Sequence, residues 1–211
     1  MTCFTFCLTV YEERKVEKNA PLLAPFFTSN FTCATLAPPM MHTEEKRVYI
    51  VMGVSSSGKS AVGERLAERL GWRFLDADDF HPQANVEKMS RGEPLDDSDR
   101  APWLTRLREI ISKHLEEGKR LILACSALKE RYRERLRLDR RVGFIYLEGS
   151  FELIQERMNA REGHFMKTEM LASQFEALEE PDPGDAVRVD ISPPLEEIVE
   201  NVALKLSEAP R

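Results

Sequence analysis

No stretch of this chain approaches the roughly 18 consecutive apolar residues that a membrane-spanning helix requires, so no membrane partner is expected. Cysteine is scarce. Of the four, Cys3, Cys7 and Cys33 lie in the N-terminal stretch and only Cys125 in the main body. No C-x-x-C pair and no Cys/His cluster with zinc spacing occurs, which excludes a zinc module. A lone body cysteine fits a reducing compartment, and a cytoplasmic location is expected. Basic charge is not in surplus either: the net charge is −6 and the pI about 5.4. Without a global basic field, nucleic acid is not an expected partner. No internal repeat is present. What remains is 211 residues, 42% of them hydrophobic, enough for one domain with its own core plus an appendage.

The appendage is residues 1–45. It holds Pro21, Pro25, Pro38 and Pro39, short apolar patches at Leu22-Leu23 and Phe26-Phe27, and no sustained period of 3.6 or 2.0. Acids at Glu12, Glu13 and Glu17 interrupt any secretory apolar region, and a transit peptide would carry more arginine. A disordered extension is expected, with Met40 or Met41 as an alternative natural start. From residue 46 to 208 the pattern changes. Short, continuously apolar runs alternate with amphipathic stretches. Strands are expected at Val48–Met52, Phe74–Asp76, Leu121–Ala124, Val142–Leu147 and Val187–Val189, and helices at 59–70, 101–116, 128–137, 151–161, 168–180 and 194–206. Strands apolar along their whole length, separated by helices, predict a parallel sheet covered on both faces. The fold class is therefore α/β, a three-layer domain with five parallel strands.

Between the first strand and first helix stands Gly53-Val54-Ser55-Ser56-Ser57-Gly58-Lys59-Ser60, a complete G-x-x-x-x-G-K-S phosphate-binding loop in the strand–loop–helix context it requires. Its glycines let backbone N–H groups converge on phosphate oxygens, and the helix N-terminus adds positive potential. Lys59 is placed to reach the β/γ-phosphates, and the Ser60 hydroxyl to ligate the Mg²⁺ that accompanies the nucleotide. A nucleoside triphosphate, ATP, is the expected cofactor. In open α/β sheets ligands sit at the carboxyl ends of strands. There the chain places Asp76-Ala77-Asp78-Asp79, then Cys125-Ser126-Ala127-Leu128-Lys129, and then Arg157 and Arg161 at i, i+4 spacing on a helix. Phosphoryl transfer asks for such a set. Asp78 is read as the base for an attacking hydroxyl, Asp76 as a ligand to a metal-bound water, and Arg157 and Arg161 as lid cations. The alternative for strand-end acids is helix capping, with Asp79 a candidate cap for whatever follows His81-Pro82, and the Arg131-Tyr132-Arg133-Glu134-Arg135 run is read as a charged helix face.

At this point the sequence resembles a family. The segment His81-Pro82-Gln83-Ala84-Asn85-Val86-Glu87-Lys88-Met89, running on through Gly92–Arg100 to Pro102-Trp103-Leu104, looks like the signature of gluconate kinases of the thermoresistant type. These belong to the shikimate-kinase-like and adenylate-kinase-like branch of phosphate-loop folds. The likeness continues at Cys125–Lys129, Tyr132-Arg133, Phe144–Leu147, Gly163-His164-Phe165 and Gln174–Glu179, and spans about residues 47–206. It implies transfer of phosphate from ATP to D-gluconate by a homodimer, with a substrate-binding insertion near 79–104 and a lid near 157–168. Two departures from the family pattern stand out: three successive serines, Ser55-Ser56-Ser57, in the loop, and paired acids at Asp78-Asp79.

A polyol carrying a carboxylate needs hydrogen-bonding groups and a cation in bidentate reach. Lys88, Arg100 and Lys129 are the candidate cations, with His81 and Ser126 as hydroxyl partners. Other readings fit less well. A shikimate kinase would be expected to show a glycine triplet after the third strand, where this chain has Cys125-Ser126-Ala127. A GTPase would need an N-K-x-D tetrapeptide, and none occurs. A non-catalytic nucleotide-binding module would not be expected to keep Lys59, Ser60, Asp78 and Arg157 together.

Overall fold

Residues 45–160 and 168–208 are described by a computed structural model of the chain. Strand β1 (Val48–Met52) leads into helix α1 (Lys59–Leu70), and β2 (Arg73–Asp76) into a 3-10 turn (Ala77–Phe80). Helices α2 (Gln83–Ser90) and α3 (Asp97–Glu116) precede β3 (Leu121–Ala124), and α4 (Glu130–Leu136) precedes β4 (Val142–Glu148). Helices α5 (Phe151–Asn159) and α6 (Thr168–Ala177), strand β5 (Val187–Asp190) and α7 (Leu195–Glu208) complete the order. The five strands form one wholly parallel sheet in the order β2-β3-β1-β4-β5.

All five residues of β1 are buried because both faces of the sheet are covered. Alternate side chains serve opposite layers. Val48, Ile50 and Met52 join Trp103, Leu107 and Ile111 of α3, whereas Tyr49 and Val51 join Val62 and Leu66 of α1 and Ile198 and Val202 of α7. Gly63 lets α1 close on the sheet: a Cβ there would come within 2.6 Å of the Phe74 ring. Strand order reverses around β1, whose neighbours β3 and β4 lead away in opposite directions. That switch point opens the crevice beyond the strand ends in which such folds bind ligands.

Three expectations need correction. Residues 83–90 form a helix that the polar, proline-flanked sequence did not announce. Helix α3 begins at Asp97, four residues before the expected start at 101, because Asp96 and Asp99 cap it reciprocally and Pro102 is tolerated inside it. The run 131–135 is only in part a solvated face. Tyr132 and Arg133 are buried, and the Arg133 guanidinium donates to the carbonyls of Leu128 at 3.1 Å and Glu179 at 2.8 Å.

Candidate active site

The phosphate loop joins the end of β1 to α1 much as its spacing predicts. Gly53 has φ +145°, and a Cβ there would press to 3.0 Å from the Leu147 carbonyl oxygen, so glycine is required. The Gly53 N–H donates to the Ser126 carbonyl at 3.3 Å, which ties the loop to the end of β3. Ser126 thus meets the site through its backbone. Gly58 and Ser56 both adopt left-handed backbone, at φ 93° and 62°. The Lys59 ammonium donates across the loop to the Val54 carbonyl at 2.9 Å. No acid stands in the first turn of α1, so its N-terminal positive potential is left for an anion.

At the end of β2 the acids divide their work. Asp76 caps the 3-10 turn by accepting from the Asp78 N–H at 3.0 Å, and its other oxygen accepts from the Ser60 hydroxyl at 2.6 Å. The two expected metal-site residues are therefore in contact. Asp78 projects into the cleft, its side chain 84% exposed. Crowding by the cleft walls, and then the Asp76 charge, push its carboxyl above the ordinary range, while Lys59 and His81 pull it back. Water reaching so exposed a group limits that shift, and a bound substrate displacing the water would enlarge it. Asp79 caps no helix: the 3-10 turn is capped by Asp76, and α2 starts behind Pro82 without a side-chain cap.

His81 lies flat on Trp103, ring centroids 4.4 Å apart at 11°, and Trp103 is itself held by donation to the Ala77 carbonyl at 2.8 Å. The Asn85 amide donates to the Asp99 carbonyl at 2.9 Å and faces His81 Nδ1 at 3.4 Å. Because the amide nitrogen is only a donor, Nδ1 accepts, and a neutral His81 carries its proton on Nε2. That nitrogen faces Asp78 at 3.9 Å. Burial lowers the His81 pKa, with Asp78 opposing and Arg100 adding to the effect. Neutral His81 therefore presents an N–H to the cleft.

The three expected substrate cations fall into two groups. Lys88 is bound to Asp99 at 2.5 Å and lies 3.6 Å from Asp96. Arg100 and Lys129 converge on the Tyr132 ring, at 5.9 and 5.8 Å from its centroid, and Arg131 joins them at 5.6 Å. Asp97 ties this cluster together, accepting from the Tyr132 hydroxyl and from Arg131, with Lys129 at 3.4 Å. Sequence reasoning missed Asp97, because an acid in a D-D-S-D run reads only as a helix start.

Arg157 stands on α5, and its guanidinium donates to the Ile191 carbonyl. It borders a cavity of about 290 Å³ beside the loop, with Ser56, Gly58, Ala61, Leu195 and Ile198 as further walls. A larger cavity of about 520 Å³ at the ends of β4 and β5 is lined by the carboxylates of Glu148, Glu180 and Asp190. Its acids would repel a polyphosphate, so the smaller cavity is the better nucleotide slot. Arg161 and most of the expected lid at 157–168 lie outside the described residues.

With that geometry established, similarity to known proteins is decisive. The family model for shikimate kinase matches residues 55–182. A thermoresistant gluconokinase of Escherichia coli K12 is 48% identical over 158 residues, covering 74% of this chain and 90% of its own. The chain belongs to the gluconokinases of the shikimate kinase family. A probable gluconokinase of Xenopus tropicalis is 41% identical over 172 residues, with 74% of this chain and 90% of that protein covered. Among solved structures, a gluconokinase from Sinorhizobium meliloti 1021 superposes with a TM-score of 0.71 at 41% identity, over 78% of this chain and 94% of that one. The family match takes in the phosphate loop from Ser55 onward, and the wholly parallel sheet is that of the expected α/β kinase fold.

Proposed function

We propose that this chain transfers the γ-phosphoryl group of ATP to the primary hydroxyl of D-gluconate, giving ADP and 6-phospho-D-gluconate. The observation that carries the reading is the position of the phosphate loop after β1 and of Asp78 after β2, both at the carboxyl ends of one parallel sheet, with His81 3.9 Å from Asp78 and Lys59 acting on the same carboxyl. The loop amides and Lys59 hold the β- and γ-phosphates, and the base enters the slot bordered by Arg157, Leu195 and Ile198. Ser60 and Asp76, two hard oxygen donors 2.6 Å apart, suit Mg²⁺ with its retained waters. When bound, that ion neutralises charge on the phosphate oxygens.

Asp78 accepts the proton of the attacking hydroxyl as its oxygen bonds to phosphorus and the bond to the ADP oxygen breaks. The neutral His81 N–H faces the Asp78 carboxylate at 3.9 Å, and the cations around Tyr132 take the substrate carboxylate. Arg157, and Arg161 beyond the described region, serve as lid cations. The working unit is proposed as a cytoplasmic homodimer in which residues 1–40 are dispensable.

An ADP-release assay across gluconate, shikimate, glycerate and nucleoside monophosphates tests this. Gluconate should be preferred at least about 100-fold in kcat/KM, since a site built for a polyol carboxylate leaves polar groups unpaired with the wrong acceptor. A chain beginning at Met41 should match the full chain within about twofold, as an extension without a periodic apolar face has little to dock. Equal or better turnover of shikimate would refute the acceptor assignment.

A further inference from the structure

Gln174 reaches the phosphate loop from helix α6. Its Oε1 accepts from the Ser55 N–H at 2.7 Å, and its Nε2 donates to the Ser55 hydroxyl at 2.9 Å. This closed pair of bonds joins residues 119 apart in sequence. Helix α6, which carries Gln174, is firmly held. Leu171 is fully buried, Phe175 packs edge-on to Phe151 at 5.4 Å, and just beyond the helix the Glu179 N–H donates to the Leu128 carbonyl at 2.9 Å. The carboxamide is therefore presented to the loop by a fixed support.

The loop needs such support. Ser56, the next residue, sits at φ 62°, a left-handed conformation unfavourable by roughly 1 kcal/mol for a residue with a Cβ. The neighbouring Ser57 hydroxyl is buried and has no hydrogen-bond partner among the described residues. A loop of three serines is thus less favourable in the phosphate-binding conformation than one with glycine there, and Ser55, beside the Gly53 tie to β3, is a point at which α6 grips it.

We propose that Gln174 is a positioning residue that holds Ser55, and through it the strained Ser56, in the phosphate-receiving conformation before nucleotide arrives. It touches no reacting atom in this role. The inference rests on the ATP-site reading above, and not on the identity of the acceptor.

The test measures binding of a fluorescent ATP analogue, KM for ATP and for gluconate, and melting temperature. Gln174→Ala should weaken analogue binding and raise the KM for ATP by about fivefold to tenfold, the usual effect of losing two neutral hydrogen bonds. The KM for gluconate should stay within about twofold, and the glycine replacement Ser56→Gly should restore most of the lost affinity, because it removes the strain the clamp restrains. Gln174→Glu should bind nucleotide more weakly than Gln174→Ala, since it sets a carboxylate against the phosphates. Unchanged nucleotide affinity in Gln174→Ala, or no rescue by Ser56→Gly, would overturn the proposal. If Gln174→Ala does not fold, Ser55→Ala decides: about threefold weaker binding supports the clamp, and wild-type binding refutes it. Since analogue binding needs no acceptor, a wild-type chain that binds nucleotide but phosphorylates no gluconate would defeat the acceptor reading alone.

Discussion

Asp78 and Asp79 are adjacent acids with different surroundings, and the difference makes the mechanism testable at single-residue scale. Asp78 lies in the field of Lys59, His81 and Asp76, whereas Asp79 makes no cap. Asn in place of Asp78 keeps the shape but does not accept the hydroxyl proton. Asp78→Asn is expected to lower kcat by about 10²–10⁴-fold with little change in nucleotide affinity, while Asp79→Asn stays near wild type. Steady-state kinetics with an independent nucleotide titration checks this, and the reverse pattern would move the base to Asp79. Much of this was legible in the sequence because the loop and the acids after β2 are local patterns. The Gln174 clamp was not, since nothing local links residues 119 apart. The Asn85 contact that sets the His81 tautomer was hidden for a related reason: a buried amide reads like any polar helix residue until its partners are known.

Among the elements, α3 shows how a start signal can be overlooked. The apolar pattern predicts a helix from 101, yet the reciprocal bonds of Asp96 and Asp99 begin it at Asp97 and so bring Asp97 to Tyr132 and Arg131. The Ser98 hydroxyl and the Asp99 N–H hold the Asp96 carboxyl down from 3.8 to about 2. A depressed carboxyl contributes stability that is complete above its unfolded value and lost as the pH falls through the folded one. Asp96→Ala should therefore lower Tm by roughly 2–4 °C at neutral pH. The gap between variant and wild type should close between pH 3.8 and about 2. Thermal melts across that range check it, and a gap that persists at pH 2 would remove the cap from the account. Arg133 makes the same point about burial. Its run of charged neighbours reads as a wet surface, and only the packing of α4 against Leu128 and Glu179 reveals a cation satisfied by carbonyls.

For the molecule as a whole, the continuous apolarity of β1, β3 and β4 left little freedom: strands buried on both faces between helices form a parallel sheet, and the loop at its switch point fixes where ligands go. The acceptor is the less local matter. In the proposed site it depends on Arg100 of α3 and on Lys129 and Arg131 at the start of α4 meeting over Tyr132, a juxtaposition made by tertiary packing. The most direct test of the central claim is ³¹P NMR of the purified chain with ATP, Mg²⁺ and D-gluconate. The account predicts a phosphomonoester signal growing in step with ADP and split into a triplet by the two protons of the terminal methylene. A doublet, marking a secondary hydroxyl, or ADP formed without any ester, would contradict it.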